Sequence, residues 1–222
     1  MHIEVQIPSH LSEITLDQYR RYMKVLQDNP EGDNRERFVT LKALEIFCNV
    51  PYKTAMQLKV IDVNRAVDKI SKLLNSQPDL VQTMTMGDTE FGFIPKLDDM
   101  SFGEFIDLDN SIGNWDKMHE AMSVLYRPIN KKIGKLYTIQ NYKGDTWHDV
   151  MKHTPMDAVL GSILFFYHLG IDLSKLMTNY IQDQEVVQIT DYSQVLEESG
   201  VGINQFTLSL REMLDDLKIS QE

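Results

Sequence analysis

The chain has 222 residues and a single cysteine, Cys48, so an intramolecular disulfide is excluded. Its hydrophobic fraction of 42% is typical of a folded globular protein, and its formal net charge of −11 disfavours non-specific binding to nucleic-acid phosphates. The opening residues lack the basic region and apolar core of a signal peptide. These features predict a soluble cytoplasmic protein without a membrane segment.

The first eighty residues predict one strand followed by a helical unit. Residues 2–7 alternate apolar and polar side chains, as in a strand, and Pro8 ends the pattern. Thr15 and Gln18 have the spacing of a capping box, which predicts the start of a helix over 16–26. Helical periodicity then predicts further helices at 34–49, 52–60 and 63–74, the last capped by Asp62.

After residue 80 the period of the apolar pattern changes to two. Residues 81–86 and 91–94 flank the turn-forming segment 87–90, which predicts a β-hairpin. We expect this hairpin to join the N-terminal strand in a small sheet.

The second half of the chain is predicted to be mainly helical. Ser101 and Glu104 have capping-box spacing, which predicts a helix that ends near Gly113. The remaining predicted elements are a helix over 115–126 capped by Asn114, a short strand at 136–139, a short helix after Asp145, and helices at 155–169, 172–181 and 203–217, with Gly170 ending the first of these three.

The apolar stretch from Met156 to Leu169 is about fourteen residues long, whereas a membrane-spanning helix needs about twenty. We therefore interpret it as a buried core helix. The predicted fold class is mainly α with a small antiparallel sheet or hairpin (α+β). The predicted units are residues 1–80 and residues 81–222, or one continuous domain.

Local motifs of catalysis and cofactor binding are missing from the sequence. It contains no phosphate-binding loop, no dinucleotide-binding glycine pattern and no nucleophile elbow. The segment starting at Asp107 lacks the glycine and final acid of a calcium loop. His148 and His153 are five apart, so their rings diverge on a helix. We therefore predict no catalytic residue, no metal site and no cofactor.

A basic segment gives an alternative function. Residues 127–143 contain five basic side chains and no acid, interleaved with Tyr137 and Tyr142. Basic residues beside aromatic ones are typical of surfaces that bind single-stranded nucleic acid. The alternative hypothesis is a nucleic-acid-associated regulator that uses this segment. The simpler interpretation is a cationic loop that pairs with acidic protein surface.

Two stretches of sequence carry a resemblance to a known group of proteins. The first runs from Phe91 to Asp109 and includes Phe91-Gly92-Phe93-Ile94-Pro95-Lys96-Leu97-Asp98-Asp99-Met100-Ser101-Phe102-Gly103-Glu104. The second follows Trp115 and is Met118-His119-Glu120-Ala121-Met122-Ser123-Val124-Leu125-Tyr126-Arg127-Pro128-Ile129. Together they resemble proteins encoded among the structural and assembly genes of tailed bacteriophages, especially crAss-like phages. The element Leu125-Tyr126-Arg127-Pro128 and the later residues Pro155-Met156-Asp157, Gly161 and Phe165-Phe166 are also similar to parts of tail-assembly-chaperone-like proteins. The resemblance covers roughly residues 85–170.

This resemblance implies a non-enzymatic virion component or tail-assembly chaperone in the host cytoplasm or in the particle. Its partners would be other phage structural proteins or further copies of itself, not nucleic acid or membrane. Because aromatic residues and arginine dominate binding hot spots, the candidate contact residues are Phe91, Phe93, Trp115, Tyr126 and Arg127. For each, the alternative is a place in the core. A third hypothesis, an enzyme, would need Glu104 and Asp107 to converge with His119.

Overall fold

The computed structural model describes residues 5–29, 35–183 and 205–216. The helices are α1 (Leu16–Asp28), α2 (Arg35–Phe47), α3 (Tyr52–Ala55), α4 (Val60–Leu74), α5 (Phe102–Asp109), α6 (Met118–Leu125), α7 (His148–Met151), α8 (Met156–Asp183) and α9 (205–216). The strands are β1 (Thr83–Met86), β2 (Thr89–Phe93), β3 (Tyr126–Ile133) and β4 (Leu136–Ile139). The predicted class, mainly α with a small antiparallel sheet, is confirmed.

The four strands form one antiparallel sheet in the order β1-β2-β3-β4. The predicted β1–β2 hairpin is confirmed, and β3 and β4 form a second hairpin whose turn contains Gly134 at a φ of 61°. Our expectation that the first hairpin joins an N-terminal strand is wrong for the described residues. Residues 5–7 belong to no strand and β3 is the second neighbour of β2, whereas residues 2–4 lie outside the described part.

Both predicted capping boxes are present. The hydroxyl of Thr15 accepts from the Gln18 amide at 3.3 Å, and the Gln18 side chain accepts from the Thr15 amide at 2.9 Å. At α5, Glu104 Oε2 accepts from the Ser101 amide at 2.7 Å in the same reciprocal way. Each box provides partners for two amide groups that have none within the helix, which explains why these two helix starts are readable from sequence.

Two other predicted caps are wrong. Helix α4 begins at Val60 after Lys59, so Asp62 lies in the first turn, where its charge favours the helix dipole. Helix α6 begins at Met118, and the side chain of Asn114 instead accepts from the Asp116 amide at 2.8 Å in a turn. The helix predicted over 52–60 is reduced to the single turn α3.

Gly170 does not end a helix, contrary to the prediction, because α8 continues from Met156 to Asp183. A Cβ at Gly170 would lie 2.4 Å from Oγ1 of Thr207, so this glycine allows α9 to pack closely on α8. The segment Met156–Leu176 is long and apolar enough to cross a membrane by length and composition, and 56% of it is buried inside the fold.

The N-terminal segment is joined to the start of α8 by the backbone. The Leu16 amide donates to the Thr154 carbonyl at 2.9 Å, and the Met156 amide donates to the Ile14 carbonyl at 2.8 Å. Around this junction Ile14, Leu16 and Met156 are fully buried. These bonds connect the predicted units 1–80 and 81–222, and the boundary at residue 80 stays a prediction.

Candidate protein-contact surface

The five predicted contact residues all lie in the core. Phe91 and Tyr126 have no exposed surface, and Phe93, Trp115 and Arg127 are less than a tenth exposed. The Phe93 ring packs 5.3 Å from that of Tyr126, and the Trp115 ring packs 4.6 Å from that of Tyr19. On the folded chain these residues stabilise the interior, so the exposed surface of the protein is formed by other side chains.

Arg127 belongs to a buried ion pair that holds α5 against the sheet. Its guanidinium lies 2.7 Å from Oε1 of Glu104, and the two side chains are 10% and 7% exposed. Next to this pair the Tyr142 hydroxyl donates to Asp107 Oδ2 at 2.7 Å. Burial, followed by that contact with Asp107, raises the pKa of Tyr142 above its usual value. One face of α5 is therefore fixed by polar contacts to β3 and to the segment after β4.

Glu104, Asp107 and His119, which the enzyme hypothesis needs close together, have different partners in the structure. Glu104 pairs with Arg127 and Asp107 with Tyr142, whereas the His119 ring lies 6.0 Å from that of His148. Burial lowers the pKa of His119, and the neighbouring Arg20 guanidinium lowers it further. The other groups that influence it are Glu120, Lys152 and His148.

This arrangement predicts a loss of stability in mild acid. Since the folded chain holds the pKa of His119 below the ordinary value of about 6.5, the unfolded chain binds a proton first as pH falls through that value. We expect the free energy of unfolding to fall as the pH is lowered from about 6.5 to the lower pKa. In the His119→Gln variant the slope of the free energy of unfolding against pH should be smaller. Urea unfolding at pH 7 and pH 5 measures it. The exposed His153→Gln variant should retain the wild-type slope, and an unchanged slope in His119→Gln would contradict the prediction.

The opposite face of α5 borders an apolar recess of about 1140 Å³ that it forms with α8 and α9. We call this recess the α5 groove. Its apolar lining is formed by Leu97, Met100, Phe102, Phe105, Phe166 and Phe206. Phe102 is 77% exposed and Phe105 is 55% exposed, although both are large aromatic residues.

The edge of the α5 groove is acidic. Asp98, Asp99 and Asp109 are exposed beside it, and none of them forms an ion pair within the described ranges. The groove therefore combines apolar surface with uncompensated negative charge.

The β3–β4 hairpin has the complementary composition. Its turn exposes Ile133 at 81% and Leu136 at 80%, and it carries Lys131, Lys132 and Lys135. Lys132 forms an ion pair with Glu90 on β2, and the other two lysines form none in the described part of the chain. We call residues 130–136 the lysine hairpin.

The tyrosines of the basic segment are occupied by the fold. Tyr137 donates to the Phe93 carbonyl at 2.8 Å, and its ring covers Gly92, where a Cβ would lie 2.4 Å from Cε2. The Tyr142 hydroxyl donates to Asp107 Oδ2. Stacking on nucleic-acid bases requires free rings, whereas the exposed side chains of this segment are lysines, the aliphatic Ile133 and Leu136, and the polar Asn130, Thr138 and Asn141.

Comparison with known proteins adds no relative, because the chain matches no protein-family model, no curated protein and no solved structure. Within residues 5–29, 35–183 and 205–216, no group of three or more histidine, cysteine, aspartate or glutamate side chains could hold a metal ion. The α5 groove was not among the features predicted from the sequence. A signal was present, because α5 has apolar residues on more sides than one buried face requires, namely Phe102, Phe105, Ile106 and Leu108.

Proposed function

We propose that the chain is a non-enzymatic structural or assembly protein of a tailed bacteriophage, a virion component or tail-assembly chaperone, and that it works through protein–protein interfaces. The observation that carries the proposal is the α5 groove, in which Phe102 and Phe105 stay exposed beside an apolar recess of about 1140 Å³. The phage-like sequence from Phe91 to Asp109 runs through the helix that forms this surface.

Contiguous exposed apolar surface favours a macromolecular partner. A soluble chain leaves such surface uncovered mainly where another protein will cover it, and aromatic side chains supply much of the binding energy there. Pockets for small ligands enclose roughly 300–1,000 Å³. The α5 groove is larger and open at Phe102, which suits a helix or hairpin of a partner protein.

The proposal is tested by recovering the tagged chain from phage-infected cells. We expect wild type to bring down phage structural proteins. A Phe102→Ser/Phe105→Ser variant should recover at least about tenfold less of them, because loss of about 1.4 kcal/mol of binding free energy lowers the affinity tenfold and aromatic residues at binding hot spots contribute at least that much. The matched control is Val60→Ser/Ile61→Ser, which alters two exposed aliphatic residues on α4. Mass spectrometry of purified particles then separates a virion component from a chaperone.

Two outcomes would overturn the proposal. In one, the tagged chain recovers host nucleic acid or polymerase and no phage structural protein. In the other, the groove variant and wild type recover the same phage proteins in the same amounts, so that the groove has no part in binding.

A further inference from the structure

We propose that the α5 groove of one copy of this chain receives the lysine hairpin of a second copy. The inference deepens the proposed function, on which it rests for the role of the groove, by naming the occupant. It is carried by two surfaces of the same chain that match in polarity and in charge.

The apolar parts match first. Ile133 and Leu136 are the most exposed large aliphatic side chains of the described residues, and they sit side by side at the turn. The groove offers an apolar lining with Phe102 and Phe105 at its mouth. Burying two aliphatic side chains against such a lining removes apolar area from water on both partners, at about 25 cal/mol per Å².

The charges match as well. Lys131 precedes the turn on β3 and Lys135 lies in the turn between Ile133 and Leu136, and Asp98, Asp99 and Asp109 lie exposed beside the groove. The net charge of −11 opposes association of two copies through most surfaces. Local complementarity between a cationic hairpin and an acidic edge favours this pair of surfaces over others.

The hairpin is held in a defined shape before it binds. Strand β2 pairs with β3 only from Tyr126 to Pro128, so the rest of β3 pairs with β4 alone and projects from the body. The Tyr137 hydroxyl donates a hydrogen bond to Phe93 on β2, and Lys132 forms an ion pair with Glu90, so that both strands of the hairpin are attached to β2. A preorganised projection loses little conformational entropy on binding.

The groove and the hairpin are different surfaces, so two arrangements bring them together. Two copies related by a two-fold axis each give a hairpin to the other's groove and form a closed dimer. Alternatively, each copy gives its hairpin to one neighbour and its groove to another, and the contacts close into a ring or continue as a filament. The mass stops at a dimer in the first arrangement and increases further with concentration in the second.

The experiment is a complementation test by sedimentation velocity. The hairpin variant is Ile133→Ser/Leu136→Ser, and the groove variant is Phe102→Ser/Phe105→Ser. Wild type is expected to self-associate, to a dimer when two copies exchange hairpins and to larger species when the contact is head-to-tail, and each variant alone is expected to be a monomer. An equimolar mixture of the two variants should form a heterodimer and nothing larger, because one intact hairpin and one intact groove remain. Val60→Ser/Ile61→Ser should behave as wild type, and urea unfolding of every variant checks that it folds.

A charge-swapped pair provides a second measurement. Lys131→Asp/Lys135→Asp should be monomeric alone. When it is mixed with Asp98→Lys/Asp99→Lys, the mixture should assemble as wild type does, since each hairpin then faces a groove edge of opposite charge. A pair that stays monomeric would count against the electrostatic part of the inference.

Other occupants of the groove give other results, each of which overturns the inference. A hairpin variant that still dimerises indicates groove-to-groove contact. If wild type is monomeric and the groove variant has a lower free energy of unfolding than wild type, the chain covers its own groove. Wild type that is monomeric at all concentrations but recovers phage proteins from cells indicates a foreign partner, and the proposed function then stands.

The reverse result, self-association as described without recovery of phage proteins, supports the inference and removes the proposed function.

Discussion

Replacing Arg127 by methionine is expected to lower the free energy of unfolding by about 3–5 kcal/mol, because it leaves the Glu104 carboxylate buried without its counter-charge. The carboxylate keeps its hydrogen bond from the Ser101 amide, which offsets only part of the loss. Urea unfolding at pH 7, followed by circular dichroism, measures the difference. It should be among the largest effects of any single polar substitution in this chain.

The matched control is an ion pair on the same sheet that water reaches. Lys132 and Glu90 are each more than a third exposed, so Lys132→Met should change stability by only about 0–1 kcal/mol. The Glu104→Gln/Arg127→Met double variant should recover part of the loss, because no unpaired buried charge remains. Equal losses in Arg127→Met and Lys132→Met would show that burial of the Glu104 pair has no energetic weight.

Replacing Gly161 by alanine is expected to destabilise the protein by about 1–3 kcal/mol through overpacking. The expected sign is opposite to helix propensity, since alanine in a helix interior is usually favoured over glycine by about 1 kcal/mol. A Cβ at Gly161 would lie 2.5 Å from the Asp79 carbonyl oxygen, which is backbone and cannot rotate away. Segment 78–80 would have to move off α8.

Gly103 in α5 provides the control for this second substitution. Nothing lies within 4 Å of a Cβ placed there, so Gly103→Ala should leave stability unchanged or raise it by up to about 1 kcal/mol. Thermal and urea unfolding of both variants measures the contrast. If both substitutions stabilise the chain, the close contact between α8 and residue 79 does not exist in solution.

The features that the sequence predicted correctly are local ones. The two capping boxes, at Thr15 and Ser101, are confirmed because their partners lie within one helical turn. The β1–β2 hairpin is confirmed because its turn and both its strands fall within eleven residues, Thr83 to Phe93. Each of these signals acts over a distance that a single stretch of sequence contains.

The errors come from contacts between distant parts of the chain. Helix α6 passes directly into β3 at Tyr126 without a glycine or turn, because pairing of Tyr126, Arg127 and Pro128 with β2 decides the backbone there. Gly170 was interpreted as a helix end, but it serves contact with Thr207, which lies far along the sequence. No local pattern carries either piece of information.

The candidate site was the least predictable part. Aromatic residues occur in binding hot spots and in cores alike, and the sequence shows their type without their direction. Phe91 and Phe93 face inward on β2, whereas Phe102 and Phe105, a few residues later, face water. The acidic edge was visible in the sequence, and its position beside an apolar recess depends on how α8 and α9 pack against α5.

The bridge between Thr15 and Pro155 has a consequence for the order of events during synthesis. At roughly 5–20 residues per second, the ribosome releases Thr15 on the order of ten seconds before Pro155. During that interval Ile14 and Leu16 lack their backbone partners at the start of α8 and just before it, Met156 and Thr154. Final closure of the fold therefore awaits the synthesis of α8.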